Sequence, residues 1–193
     1  DELGHGAFGV VLRGTLRGET KCAVKVAHDQ DKYSRRDSPE TAEFQREAEL
    51  MMRLPRHVNV VALLGVCVQP LAVVMEFCAG GTLEQLLLDA DAKLSLCRRL
   101  HFCADVARGL NVLHDAGIIH RDLAARNVLL DADRRRAKVT DFGMSRVAAA
   151  PEQRNYTAQN VGPIKWMAPE CIERQSYSRA SDVYALAITF AEV

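Results

Sequence analysis

A chain of 193 residues with 48% hydrophobic and 26% charged side chains has ordinary globular composition and enough apolar material for a sizeable core, which excludes a disordered segment. Lysine plus arginine equals aspartate plus glutamate at 25 each, so there is no basic footprint for nucleic acid and no net attraction to an anionic membrane surface. Six cysteines (Cys22, Cys67, Cys78, Cys97, Cys103, Cys171) without a CxxC pair argue for free thiols in a reducing compartment, and no apolar run approaches the roughly 20 residues of a membrane span.

Residues 3 to 26 read as short strands: FGVVLRGTL, a glycine and charge turn at RGET, then KCAVKVA with its β-branched centre. Gly4, Gly6 and Gly9 are spaced so that a backbone can pass close to phosphate oxygens with no Cβ in the way. The same G-x-G-x-x-G spacing fits a dinucleotide-binding turn, but that requires a helix straight afterwards, and here VVLRGTL continues as strand. Taken alone, the pattern is more often that of a plain hairpin turn. Lys25 sits among Ala23, Val24 and Val26, where a lone lysine more often faces solvent; the functional reading aims its ammonium at phosphates under the glycine loop. A helix follows the charged linker 29–38, with Ser38 as N-cap, Pro39 in the first position, and Phe44, Glu47, Leu50 and Met51 at helical spacing. Glu47 shares a face with Phe44 and Met51, which makes it the expected partner of Lys25, whereas Glu43 is one turn earlier and Glu49 points away.

VVALLGVCV and LAVVMEF are apolar runs suited to two further strands. After CAGG the character changes to helix. Thr82 and Gln85 form a capping box before LLL, and Leu96, Leu100, Cys103, Ala107 and Leu110 are expected to line one face of a long helix that Gly117 ends. Another helical segment begins near Ser181. The order is therefore a β-rich part (1–77), a flexible joint (78–81) and a helical part (82–193), without internal repeats.

The stretch IIHRDLAARNVLLD sets a base, a cation, a carboxylate and an amide inside an apolar pattern, and buried charge is costly unless it is paired or performs chemistry. Asp122 and Asn127 are five apart, and VTDFGMSR supplies Asp141 fourteen residues after Asn127. A carboxylate and an amide oxygen are hard ligands suited to Mg²⁺, which leaves Asp122 free to accept a hydroxyl proton, with His120 and Arg121 supporting the loop. Each residue alone could be a turn former or a surface ion pair; jointly, at these spacings, they point to phosphate chemistry.

Together these residues resemble a protein kinase domain: the glycine loop from Gly4 to Val11, Lys25, H-R-D-L-x-x-x-N over His120 to Asn127, Asp141-Phe142-Gly143 and Ala168-Pro169-Glu170 occur in the family's order. The resemblance runs from end to end. It implies an α+β bilobal fold, a β-rich small lobe and a mainly helical large lobe, with ATP in the cleft between them. It further implies that Lys25 contacts the α- and β-phosphates and pairs with Glu47, that Asp122 is the catalytic base, and that Asn127 and Asp141 hold Mg²⁺. Val11, Ala23 and Leu129 would sandwich the adenine, Met75 would guard the rear of the cleft, and Glu76 with Cys78 would offer backbone hydrogen bonds to the base.

HRDLAARN and PIKWMAPE are similar to tyrosine kinases, as are EFQREAELM and HVNVVALLGVCV. In that family Arg126 and Pro163 suit a longer, flat acceptor, so tyrosine-bearing protein substrates are expected. The segment from Asp141 to Glu170 would be an activation loop whose only tyrosine is Tyr156. Its phosphorylation would add about −1.5 to −2 charges and engage Arg121, with a dimer allowing one copy to modify the other. The location implied is cytoplasmic, or the cytoplasmic side of a membrane. Tyr184 stands where tyrosine kinases usually carry Trp and Ala187 where Gly is common, which keeps Ser/Thr or dual specificity open. A pseudokinase scaffold commonly loses the strand Lys, the loop Asp or the D-F-G Asp; Lys25, Asp122 and Asp141 are all present. The opening on Asp1 and the helix cut at Val193 imply flanking parts and further large-lobe helices outside this sequence.

Overall fold

The computed structural model describes residues 1–6, 9–27, 39–142, 145–147 and 164–193. Five strands form one antiparallel sheet in the order β1-β2-β3-β5-β4: β1 (Glu2–Gly6), β2 (Gly9–Leu16), β3 (Thr20–Ala27), β4 (Leu63–Val68) and β5 (Leu71–Glu76). The β2–β3 turn takes positive φ at Arg17 (52°) and Gly18 (80°), the left-handed pair whose twist matches a hairpin. Register then decides which side chains share a face. Val11 lies opposite Lys25, which lies opposite Val73, and Ala23 lies opposite Met75, so these five project from one side of the sheet.

Helix α1 (Pro39–Arg53) is rich in Glu, Ala, Leu and Met, good helix formers, and starts on proline, whose fixed φ suits the first position. Ser38, the expected cap, lies outside the described residues, as does the side chain of Phe44. The helix buries Glu47, Ala48, Leu50 and Met51, and Glu49 faces solvent as its position on the helix demands.

The run VVALLGVCV is not one strand. Strand β4 begins only at Leu63, and Val60 instead makes an isolated parallel bridge to Val139. Val61 N–H donates to the Val139 carbonyl at 3.0 Å, Val139 N–H to Asn59 at 2.9 Å, and the Asn59 amide to Ala137 at 2.9 Å. An apolar run cannot by itself distinguish strand from buried connector. Here the backbone of 59–61 finds its partners in the helical part of the molecule.

Strand β5 gives way to Gly80 and Gly81, whose backbones exchange hydrogen bonds with Leu130: Gly80 N–H to its carbonyl at 3.1 Å and Leu130 N–H to the Gly81 carbonyl at 2.9 Å. A Cβ on Gly80 would lie 2.3 Å from the Asp131 carbonyl oxygen, so glycine permits this close approach. Helix α2 (Leu83–Leu88) carries the full Thr82–Gln85 capping box. Helix α3 (Leu96–Asp115) is capped by Ser95 and followed by Gly117 at φ +74°.

The expected apolar face of α3 is wrong by about a quarter turn. Leu96 and Leu100 are exposed, and the buried stripe is Phe102, Val106, Gly109, Leu110 and Leu113. The sequence carries two overlapping stripes that share Leu110, and the one with Phe102 wins because this helix packs on the strand segments at Ala137–Val139 and Ile118–Ile119. Gly109 lets that contact close: a Cβ there would meet the Asn59 carbonyl oxygen at 2.3 Å.

The helical part continues with β6 (Ile118–Ile119), a 3-10 turn (Ala125–Asn127), β7 (Val128–Leu130), β8 (Ala137–Val139) and β9 (Arg146–Val147), paired β6 with β9 and β7 with β8. A second 3-10 turn (Ile164–Trp166), helix α4 (Pro169–Arg174), which periodicity does not signal, and helix α5 (Arg179–Glu192) complete it. Helix α5 starts two residues before Ser181, because Ser178 is the cap and Ser181 its reciprocal partner. One buried cluster joins the sheet and α1 to Leu113, Ile118 and Phe142; a second fills the space between α2, α3, β7, β8 and α5. This is an α+β, two-lobed arrangement.

Candidate active site

Lys25 reaches from β3 into the space beneath α1, where its ammonium donates to both carboxylate oxygens of Glu47 at 2.9 and 2.8 Å. Both side chains are almost fully buried, and Asp141 Oδ1 lies 3.6 Å from the same ammonium. Burial disfavours the charged lysine, but the Glu47 and Asp141 carboxylates outweigh it and hold the pKa above its usual value. Burial pushes Glu47 upward against the pull of Lys25.

The loop at 120–127 hangs on one aspartate. Asp182, in the first turn of α5 and 1% exposed, accepts the backbone N–H groups of His120 at 2.8 Å and Arg121 at 2.9 Å. The same carboxylate contacts His114 Nε2 at 2.8 Å. His120 is fully buried, with its ring 3.1 Å from the Thr140 carbonyl oxygen and tilted against Phe142. It thereby ties the loop to the segment bearing Asp141. Arg121 and Asp141 both adopt positive φ, 72° and 62°, a strained state for non-glycine residues that surrounding bonds must hold.

Asp122 is half-buried and contacted on every polar side: its N–H donates to His120 Nδ1, Arg126 bonds its Oδ1, and the Asn127 amide donates to its Oδ2 at 2.8 Å and to its backbone carbonyl at 2.7 Å. Burial raises the Asp122 pKa, opposed by the charges of Arg126 and His120. The Arg126 guanidinium carbon sits 4.8 Å from the centre of the Trp166 ring.

Of the expected adenine contacts, Val11, Ala23 and Met75 share the sheet face with Lys25, while Leu129 and Cys78 pack against the core that contains Met75. Glu76 N–H is committed to the Ala62 carbonyl at 3.0 Å, which leaves its carbonyl as what it can offer a base. The Glu76 carboxylate turns away to Lys138 at 2.6 Å. Gly4 and Gly6 lie in β1 and Gly9 opens β2, so the three glycines belong to two paired antiparallel strands. Tyr156, Pro163 and Gly143 lie outside the described residues.

The donor set fits Mg²⁺. Asn127 spends its N–H groups on Asp122, so its carbonyl oxygen is turned from that carboxylate, and Asp141 presents a half-exposed carboxylate; one carboxylate and one amide oxygen, with water and phosphate to complete six, are the hard ligands Mg²⁺ takes. Among the described residues no group of three or more His, Cys, Asp or Glu could hold a metal by itself.

The family model described as protein tyrosine and serine/threonine kinase matches residues 1–193. The chain belongs to the protein kinase family. Among relatives of this kinase domain, the mouse tyrosine-protein kinase ZAP-70 is 38% identical over 99% of the chain and 31% of its own length. Spermatocyte protein spe-8 of Caenorhabditis elegans is 37% identical over 100% of the chain and 37% of its length. A probable receptor-like protein kinase of Arabidopsis thaliana is 37% identical over 99% of the chain and 23% of its length. The kinase domain thus spans between 23% and 37% of the length of these relatives. None of its described helices is long and apolar enough to cross a membrane, and its six cysteines are free thiols.

Three members of the kinase site escape sequence reasoning. Asp182 is visible only as part of a helix motif, because the groups it holds are 61 to 68 residues away. Trp166 and Glu192 are likewise joined only in space, by an indole N–H to carboxylate bond of 2.9 Å. A buried acid in a capped helix start is the one available signal, and it reaches only Asp182.

Proposed function

We propose that this kinase domain transfers the γ-phosphoryl group of ATP to tyrosine hydroxyls of protein substrates. The observation that carries the reading is the acceptor side of Asp122: its neighbouring cation is Arg126, four residues on, spread over the Trp166 ring. An arginine four residues after the aspartate, seated on an indole, is the feature in which this acceptor side resembles tyrosine kinases. The names of two relatives, tyrosine-protein kinase ZAP-70 and cytoplasmic tyrosine-protein kinase BMX, support the same acceptor.

In this reading the sheet face bearing Val11, Ala23 and Met75, with Leu129 from β7, holds adenine between apolar walls. Lys25, fixed by Glu47, binds the α- and β-phosphates beneath Gly4, Gly6 and Gly9, and Glu76 and Cys78 bind the base. Asn127 and Asp141 would hold Mg²⁺, which would supply charge screening for the phosphates. Asp122 orients the acceptor hydroxyl and takes its proton, and Arg126 steadies Asp122. The transition state is largely dissociative, so positioning and charge stabilisation carry the rate. We divide the chain as 1–77, 78–81 and 82–193, two lobes about a hinge.

We also propose that Tyr156 is phosphorylated by a second copy and that the phosphate docks on Arg121. Supporting this, Arg121 Nε is buried with no hydrogen-bond partner among the described residues, the guanidinium lies 4.8 Å from the Tyr177 ring, and burial and the nearby Arg146 lower its pKa. Such a cation pair is completed by a doubly charged anion. A cytoplasmic setting agrees with the free thiols.

The test is transfer from γ-labelled ATP to a poly(Glu, Tyr) polymer and to matched Tyr and Ser peptides. Label on tyrosine that Asp122→Asn abolishes supports the reading. Label on Ser peptides at equal or higher rate rejects the tyrosine acceptor, and ATP binding without transfer rejects catalysis.

A further inference from the structure

Glu192, in the last turn of α5, sits where three segments meet. Its Oε2 accepts the Ala125 backbone N–H at 3.1 Å and the Trp166 indole N–H at 2.9 Å, while Oε1 lies 3.8 Å from the Lys165 ammonium. Trp166 is the chain's only tryptophan. Its ring bears two cations, the Arg126 guanidinium carbon at 4.8 Å and the Lys165 ammonium at 4.7 Å from the centroid. Arg126 in turn bonds Asp122. One carboxylate therefore fixes the catalytic-loop backbone and, through the indole, the seat of the arginine that steadies Asp122.

We propose that Glu192 is a positioning residue for the phosphoryl acceptor side of the site. Ala125 is 1% exposed, so loss of the carboxylate would leave its N–H without a partner in a place water reaches poorly. The indole would lose its hydrogen bond to the carboxylate, and Lys165 would lose the negative charge beside it. Arg126 would then sample other positions and Asp122 would lose its orientation toward the acceptor. The base and the α- and β-phosphates depend on Lys25, Glu47 and the sheet face, and the bonds of Glu192 go to none of these. The effect should therefore divide cleanly between the two substrates. Small misplacements of a reacting group cost rate steeply, which is why a residue that touches no substrate can matter here.

This inference rests on Asp122 as the base, and the experiment separates the two claims. In the 193-residue chain, Glu192→Ala should lower kcat for poly(Glu, Tyr) by about tenfold or more while KM for ATP stays within about twofold, and Trp166 fluorescence should shift to the red. Glu192→Gln keeps one acceptor oxygen and should fall between Ala and the parent in both readouts, which guards against a fold-breaking Ala variant. Trp166→Phe, with a ring but no N–H, should lose kcat without changing KM for ATP. Unchanged Trp166 emission in both Glu192 variants, or KM for ATP rising in step with the fall in kcat, overturns the proposal. If Asp122→Asn retains transfer, the base assignment fails, and the emission shift still decides whether Glu192 holds the tryptophan.

Discussion

Lys25 and Glu47, 22 residues apart on a strand and a helix, meet through two hydrogen bonds of 2.9 and 2.8 Å in an almost dry environment. The pair sets the position of α1 relative to the sheet. It is also the place where removing a single charge does the most harm.

Breaking a buried pair strands the partner. Glu47→Leu should destabilise the fold by about 3–5 kcal/mol, whereas the double variant Lys25→Met with Glu47→Leu should recover much of that loss. Urea unfolding midpoints of the two single variants and the double variant test this. Phosphoryl transfer should be absent in all three, since stability returns without the ammonium.

Asp122 titrates above the ordinary aspartate range because it is partly desolvated, with Arg126 and His120 pulling the other way. A protonated Asp122 cannot accept a proton, so the acidic limb of kcat/KM should lie at higher pH than for a solvated aspartate. Arg126→Ala removes the larger of the opposing charges and should move that limb further up in pH. A limb that moves down would show that Arg126 does not act on Asp122.

Asp182 anchors two backbone N–H groups and His114 with one buried carboxylate. Asparagine fits the space, but its NH₂ end would face a donor. Hydrogen bonds to charged groups contribute about 1.5–3 kcal/mol each, so Asp182→Asn should cost about 3 kcal/mol or more. Thermal unfolding of the variant, with loss of transfer even below its melting range, is the expected pair of results.

The Cys78 thiol is pushed up to about 12 by burial first and by Glu76 second, with Lys138 opposing. At pH 8 roughly one thiol in 10⁴ is then thiolate, so alkylation should be slow. Glu76→Gln should speed labelling of Cys78 by iodoacetamide and Lys138→Met should slow it, read by peptide mass mapping because six cysteines compete. Equal rates in both variants would sink the electrostatic account.

Local rules read much of this molecule well. The strand periodicity around Lys25, the Thr82–Gln85 box and the glycine at 117 each depend on neighbours within a few residues, and each stands as expected. The choice of Glu47 over Glu43 and Glu49 came from helix geometry alone. What the sequence hid depends on distant partners. Val60 and Val61 look like strand until β8 claims them, and Leu96 and Leu100 look like core until Phe102 and Val106 take the packed side. The supports of the loop, Asp182 and Glu192, are single acids whose meaning lies 60 or more residues away.

The stitching of residues 59–61 to Ala137 and Val139 bears on how this domain moves. With the chain also running from β5 through Gly80 and Gly81 to α2, the sheet is moored at two points instead of one. A plate moored twice swings about the line through its moorings and resists twisting off it. Nucleotide entry should therefore open the cleft along a single arc, carrying the lysine of β3 and its carboxylate partner together while the connector before β4 stays behind with the helices.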